Sequence, residues 1–381
     1  MIKSNNKIPK NRLPNAPKIP FRDLRIIDDS FRNRLLSEVE DVLVNGPLLM
    51  GSRVERFEEE LAKFCNRKFC IGVSSGTDAL YLALKACDIG LGDEVITTGM
   101  SWVATLNAIL MVGATPVFVD VGEDQNLNPD EISDVITKRT KAILPVHFTG
   151  RLCDMLSIRQ IAQKFGLLVI EDAAQAIGAK AIGFAAGTVG DVAAFSLNPM
   201  KVFPGYGEAG AIVTDNSHIA DRLRTLRYLG TDGKEMCSEL ALNHKMDEIQ
   251  AAMLLLGFEY IGDIVDKRID MARRYSRQLT GLVGCPATPE VGDRTSNYYD
   301  YVIFCENRDA LREHLRSAGV ETKVKHSILL PDQPINKLDK RPDLVITDRL
   351  VKTMISLPLH EKLLERDINY VCNSIAEFLN V

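Results

Sequence analysis

The chain lacks any apolar run long enough to cross a bilayer; its longest apolar stretches are short and broken by polar residues. It also lacks an excess of positive charge. With 46 Lys and Arg against 51 Asp and Glu, the net charge is −5, which gives no footprint for nucleic acid or an anionic membrane. Eight cysteines are scattered at positions 65, 70, 87, 153, 237, 285, 305 and 372, with no Cys-x-x-Cys pair. No metal site is expected from them, and reduced, buried thiols of a cytoplasmic protein are. Residues 1–20 are basic, rich in Asn and Pro, and without the apolar stretch of a secretory signal. They are expected to form a loose arm, or else a segment that docks on a partner subunit. Tryptophan is nearly absent too, with Trp102 the single copy.

What is present is a regular alternation of helix and strand signals. Ser30 can cap a helix to Val44, stopped by Asn45-Gly46-Pro47. A short amphipathic helix is expected over 54–65, a strand over 69–73, a helix over 77–86, a strand over 94–97, a helix over 103–111 and a strand over 116–120. Asn128-Pro129-Asp130-Glu131 has the form of a helix start with proline in the first turn. Residues 142–146 and 167–171 are continuous apolar runs of the kind buried on both faces, with a helix between them over 158–165. Strands follow over 192–196 and 211–214. This pattern predicts an α/β fold with a mainly parallel sheet and helices on both sides. Beyond Asp215 the signals change. A helix is expected over 218–228, then a long one over 246–279 kinked at Gly257 or Gly262. An alternating strand over 298–304, a helix over 309–317 and a last helix from about 365 complete the chain. The expected organisation is an arm (1–20), a large domain (21–260) and a small C-terminal domain (261–381).

Three stretches carry chemistry. Ser74-Ser75-Gly76-Thr77-Asp78-Ala79-Leu80 follows a strand and opens a helix, so its small residues let backbone N–H groups approach a phosphate; a plain capped turn is the alternative. Val169-Ile170-Glu171-Asp172 puts an acid at the end of a buried strand, where α/β proteins place ligands. Asp172 there can keep a pyridinium nitrogen protonated, or simply cap the next helix. Phe195-Ser196-Leu197-Asn198-Pro199-Met200-Lys201 leads into Gly205-Tyr206-Gly207-Glu208-Ala209-Gly210. Lys201 in this glycine-rich loop can form an imine with an aldehyde, and the Ser196 hydroxyl can take a phosphate oxygen; a solvated surface lysine is the alternative. Phosphate cradle, then ring-nitrogen acid, then lysine is the order required by a pyridoxal 5'-phosphate (PLP) site of the aspartate-aminotransferase type.

With these stretches, Ser101-Trp102-Val103-Ala104-Thr105, Glu171-Asp172-Ala173-Ala174-Gln175 and Asn243-His244-Lys245-Met246-Asp247-Glu248-Ile249-Gln250-Ala251-Ala252 give the chain its resemblance to the DegT/StrS group of sugar aminotransferases, from about Ile19 onward. The resemblance implies the type I PLP-transferase fold: a mainly parallel seven-stranded sheet and a smaller C-terminal α+β domain. It implies that Gly76, Thr77 and Ser196 hold the phosphate, that Asp172 pairs with the pyridine nitrogen, that Gln175 lies by the ring hydroxyl and that Trp102 stacks on the ring. Asn243 matches an asparagine that reaches the cofactor of the neighbouring subunit, which implies a homodimer with shared sites. It further implies that Lys201 is the catalytic lysine, with L-glutamate as donor and a keto-sugar as acceptor. The implied acceptor is a nucleotide-linked 3-keto-sugar, with a keto-sugar phosphate or keto-cyclitol as the second choice and a non-catalytic PLP-binding regulator as the reading from another class.

The chain departs from the usual pattern of that group at positions which the resemblance places near the substrate. Tyr298-Tyr299 stands where many have Tyr-His, Val324-Lys325-His326 where many have Val-His-Tyr, and Asn198-Pro199-Met200 precedes the lysine in place of the commoner Tyr/His-Pro-Thr/Gly. Tyr299, Lys325 and His326 are therefore candidate substrate contacts. Lys325 and His326 can meet a phosphate, or form no more than a polar strand edge.

Overall fold

The computed structural model describes residues 18–380 except 232–234, 287–291, 293 and 338–339. Helix α1 (Asp29–Asn45) begins one residue before Ser30; Asp28 is its cap, with the carboxylate accepting from Phe31 N at 2.7 Å. There follow α2 (Ser52–Phe64), β1 (Phe69–Val73), α3 (Gly76–Ala86), β2 (Glu94–Thr98), α4 (Val103–Met111) and β3 (Thr115–Val119). The helix expected at Asn128 is absent. Only 3-10 turns form, at Pro129–Glu131 and Ser133–Val135. Asn128 does cap, but Ile132 is the single buried residue there, so no apolar stripe supports further turns. Then come β4 (Thr140–Ile143), α5 (Met155–Phe165), β5 (Leu168–Asp172), a small hairpin of β6 (Lys180–Ala181) and β7 (Phe184–Ala185), β8 (Val192–Ser196) and β9 (Gly210–Thr214).

Seven strands form one sheet in the order β1-β9-β8-β5-β4-β2-β3. Pairs β3/β2, β2/β4, β4/β5 and β5/β8 are parallel, while β9 runs antiparallel to both β8 and β1. β2, β8 and β9 are almost wholly buried, as strands covered on both faces must be.

After β9 come α6 (Ser217–Arg227), α7 (Glu248–Gly257) and α8 (Ile261–Leu279). The long helix expected here with a kink at Gly257 or Gly262 is broken outright at residues 258–260, directly after Gly257. A Cβ on Gly257 would lie 2.4 Å from the Phe203 ring, so the backbone is pressed against that ring where the helix ends. β10 (Tyr301–Phe304) starts later than expected, because Tyr298 has φ +49° and lies outside any extended run. Its side chains do not alternate: Tyr301, Val302 and Ile303 are all buried. α9 (Arg308–Ser317) and α11 (Glu365–Leu379) match expectation, whereas α10 (Val345–Thr353) and β11 (Met354–Leu357), the antiparallel partner of β10, were not expected. The start of α10 is capped from far away, since Asp120 accepts from Ile346 N at 2.7 Å and Thr347 N at 2.8 Å.

The segment 19–23 packs on late parts of the chain. Ile19 N donates to Gly319 O at 3.0 Å, Phe21 N to Glu321 Oε2 at 3.0 Å, and Lys362 Nζ reaches Asp23 O at 2.8 Å. The arm expected for residues 1–20 otherwise lies outside the described residues. All eight cysteines are free, but not all are buried: Cys87 and Cys285 are half-buried and Cys237 is exposed in a loop, where its thiol donates to Leu229 O at 3.2 Å. Among the described residues no helix is long and apolar enough to cross a membrane.

Candidate active site

Asp172 closes β5 and Ser196 closes β8. The two strands are parallel neighbours, so both residues arrive at one edge of the sheet. The start of α3 is pressed against Ser196: a Cβ on Gly76 would lie 2.5 Å from Ser196 Cβ and 2.9 Å from its Oγ, so only glycine fits. Thr77 follows, half-buried in the first turn of α3. Ser74 and Ser75 both donate to Asp78, Ser75 at 2.9 Å, so their hydroxyls are occupied. Ser196 Oγ has only a long 3.5 Å contact from Asn198 N and keeps its proton for a ligand. A helix N-terminus closed in on a hydroxyl in this way is a cradle of the right chemistry for a phosphate.

Asp172 is buried and its two oxygens are divided. Thr105 Oγ1 donates to Oδ2 at 2.8 Å and Ala174 N to Oδ1 at 3.2 Å, while Ser101 Oγ lies 2.8 Å from Thr105 Oγ1 and continues the chain. Burial pushes the Asp172 carboxyl above its ordinary range, against the pull of Thr105, the Ala174 amide and Lys201. Behind it, the fully buried His147–Glu171 pair (2.9 Å) braces the same strand, with Glu171 also accepting from Gly187 N at 2.7 Å and Val189 N at 2.9 Å.

Lys201 lies in the loop between β8 and β9, half-buried, with Nζ 4.7 Å from the centre of the Tyr299 ring. Burial pushes its ammonium down to about 8; Asp172 opposes that shift and Lys325 reinforces it. A lysine poised near neutrality can attack a carbonyl and later carry a proton. Gln175 is fixed by Thr149 N, which donates to its Oε1 at 2.9 Å. Trp102 precedes α4 and is 64 % exposed, with its indole edge-on to His326 at 6.4 Å.

The substrate candidates also gather here. The Tyr299 ring carries Lys325 Nζ at 4.7 Å and the Arg22 guanidinium at 5.2 Å, besides Lys201. His326 sits in a left-handed conformation (φ +55°), its Nδ1 2.9 Å from Ser101 O and its ring against Phe148. Burial, helped by Lys325, pushes it down to about 4, so it is neutral at pH 7; burial lowers the Lys325 ammonium as well, against the pull of Asp300. Asn243 is not brought to this group. It is exposed, beside the segment where Ser74 N donates to His244 O at 2.8 Å, and its own Oδ1 has only a 3.5 Å contact from Lys245 N. Two surface cavities, one bordered by Cys65, Val265 and Arg294 and one by Glu58, Cys70 and Arg227, include none of the residues proposed for the site.

Sequence reasoning missed Thr105, Arg22, Asp300 and Arg268. Asp300 accepts from Arg22 at 2.8 Å and Lys325 at 2.5 Å; Arg268 donates to Tyr298 O, Tyr299 O and Leu359 O at 2.9–3.1 Å and pairs with Glu361 at 2.6 Å. One signal was available. An aspartate inside the apolar run 298–304 has to be paired when it is buried.

The model of the DegT/DnrJ/EryC1/StrS aminotransferase family matches residues 29–376. The pleiotropic regulatory protein of Geobacillus stearothermophilus is 35% identical over 94% of this chain and 98% of its own length. The dTDP-3-amino-3,4,6-trideoxy-alpha-D-glucose transaminase of Streptomyces venezuelae is 35% identical over 90% of this chain and 92% of its own. Among solved structures, NtdA from Bacillus subtilis with bound cofactor PMP superposes with a TM-score of 0.89 at 32% identity, covering 98% of this chain and 87% of that one. The glycine-gated cradle, the buried Asp172 and the depressed Lys201 fit that cofactor chemistry, and the chain belongs to the DegT/DnrJ/EryC1/StrS aminotransferase family as a PLP-dependent enzyme.

Proposed function

We propose that the enzyme moves an amino group from L-glutamate to a nucleotide-linked 3-keto-sugar in the cytoplasm, in the making of an amino sugar. The observation that carries this reading is the meeting of a half-buried, depressed Lys201 with a buried Asp172 at one sheet edge, opposite the Gly76–Ser196 cradle. PLP, when bound, supplies an electron sink that stabilises negative charge at the donor's α-carbon. The chain's own residues do the rest. Gly76, Thr77 and Ser196 hold the phosphate. Asp172, oriented by Thr105, keeps a negative charge facing the ring nitrogen. Gln175 lies by the ring hydroxyl and Trp102 covers the ring face against water. Lys201 Nζ would take the proton from the donor's α-carbon and deliver it to the cofactor carbon that bears the nitrogen, which its position near neutrality allows. Tyr299, Lys325 and His326 line the substrate side. The choice of a 3-keto-sugar is supported by the name of the Streptomyces venezuelae relative.

The test is an absorbance titration of purified protein with L-glutamate, followed by mass spectrometry of candidate keto-sugars. A catalyst converts its cofactor to the amine form and then aminates one acceptor class. The regulatory relative keeps a second reading in view, that of a binder without turnover, and a spectrum unmoved by glutamate would favour it.

A homodimer with shared sites belongs to the same proposal. Asn243 is preceded by exposed Leu240 and Leu242, an apolar stretch suited to cover by a second copy. Mixing Lys201→Ala with Asn243→Arg subunits should restore part of the activity, because one of the two sites in a mixed dimer then carries neither lesion. No recovery after verified exchange would remove Asn243 from the proposal.

A further inference from the structure

Next to Lys201 the paired charges do not balance. Arg22, Arg268 and Lys325 bring three positive charges against the two negative ones of Asp300 and Glu361. Lys201 and Asp172 offset one another, and His326 is neutral. The carboxylate of Asp300 is fully divided, Oδ1 to Arg22 and Oδ2 to Lys325. Arg22 also donates to Tyr299 O and Leu359 O, and Arg268 to the same two carbonyls, so both guanidiniums are engaged.

Lys325 differs. An ammonium has three N–H donors, and here Asp300 accepts one. Its other neighbours are the Tyr299 and Phe21 rings, at 4.7 and 5.2 Å, and among the described residues no second oxygen accepts from it. Its side chain is 23 % exposed, against 7 % for Arg22 and 4 % for Asp300, so it is the member of the group that a ligand can reach. A surplus buried charge with idle donors is unfavourable until an anion meets it. Position matters as well. Lys201 Nζ and Lys325 Nζ each lie 4.7 Å from one ring centre, so they are separated by at most twice that distance, within the span of one small substrate.

We propose that Arg22, Asp300 and Lys325 form a receptor for one oxyanion group, a carboxylate or a phosphate, of the compound that reacts at Lys201. Lys325 makes the contact; Asp300, anchored by Arg22, is a positioning residue that holds the ammonium over Tyr299 and keeps the receptor from binding so tightly that product stays. The inference rests on Lys201 being the site lysine. Two sources supply the chemistry: the carboxylate of the amino donor, or an acidic group on the keto-sugar.

The experiment uses the holoenzyme with glutarate and inorganic phosphate as unreactive probes in calorimetry, alongside steady-state kinetics. Lys325→Met is expected to weaken binding of at least one probe tenfold or more and to raise one KM with a smaller change in kcat, with Lys325→Arg restoring part of it. A raised KM for L-glutamate assigns the receptor to the donor; a raised KM for the keto-sugar assigns it to the acceptor. Asp300→Asn should tighten probe binding several-fold, since a competing carboxylate is gone, yet lower kcat, a split that a merely structural lesion does not give. Lys325→Gln replaces the Met variant if that form does not fold. Borohydride reduction and peptide mapping are read first. An adduct on another lysine overturns both the site and the receptor. An adduct on Lys201, with probe binding and both KM values unmoved in the Lys325 variants, overturns the receptor alone.

Discussion

The groups around Asp172 come from the ends of neighbouring strands and the helices that follow them, whereas the groups around Asp300 come from residues 22, 268, 300, 325 and 359. The first set is local chemistry laid on a sheet edge, so each part has its own short motif. The second set exists only after the chain has closed on itself. The contrast teaches that the proposed cofactor end is set by the order of strands and helices, while the proposed substrate end rests on single residues held by tertiary contacts.

The largest effect is expected from Lys201→Ala, which should lower turnover more than about a thousandfold while the circular dichroism spectrum stays native. Borohydride should fix cofactor to the wild type at Lys201 and to the variant nowhere. Next, Asp172→Asn should leave cofactor bound but slow the half-reaction with glutamate by about a hundredfold or more in stopped flow, because a neutral amide does not hold a ring proton as a carboxylate does. If it instead shed the cofactor at an unchanged rate of reaction, the two ends would not differ as described.

Gly76→Ala puts a methyl 2.5 Å from Ser196 Cβ. Relieving that contact costs about 1–3 kcal/mol, so cofactor affinity should fall roughly tenfold to a hundredfold in a fluorescence titration. The KM for the sugar should hardly move at saturating cofactor. A KM that follows the affinity would break the division into two ends.

The pH response is subtler. Lys201 is protonated below about 8 and neutral above, so the rate at which apoprotein takes up PLP should rise as pH passes through about 8. Asp172 holds that value up and Lys325 holds it down. Asp172→Asn should therefore shift the midpoint to lower pH, and Lys325→Met to higher pH, in a rapid-mixing series. Opposite shifts from opposite ends would show the two meeting at one nitrogen. The smallest effect should come from Asp28→Ala, which removes a helix cap worth about 1 kcal/mol and should lower the melting temperature by a few degrees or less, with both half-reactions intact.

Much of the sheet was legible because its strands are continuous apolar runs ending in small or acidic residues. β1, β8 and α4 fall where the sequence places them. The errors share a cause. Asn128-Pro129 starts like a helix, but the following residues lack an apolar stripe. Ser30 is a good capping residue two positions late, with Asp28 in the better place. α10 depends on Asp120, 226 residues earlier, and Asp300 on Arg22, 278 residues away; neither pairing leaves a local mark. Lys201, Asp172, Gly76 and Ser196 were legible as motifs and do gather. Asn243 was legible only through resemblance, and the single chain leaves it at the surface.

The early segment that delivers Arg22 has a consequence for how the molecule is made. A ribosome releases Arg22 long before Asp300 and Leu359, the groups that will hold it. Every strand of the seven-stranded sheet, and with it the Lys201 loop, has been synthesised by residue 214. Domains generally organise from the N-terminal side during synthesis, and long-range closures come late. The nascent chain therefore completes the sheet edge that carries Asp172 and Ser196 well before it contains the groups that hold Arg22, so the anion end is the last part of the molecule to be assembled.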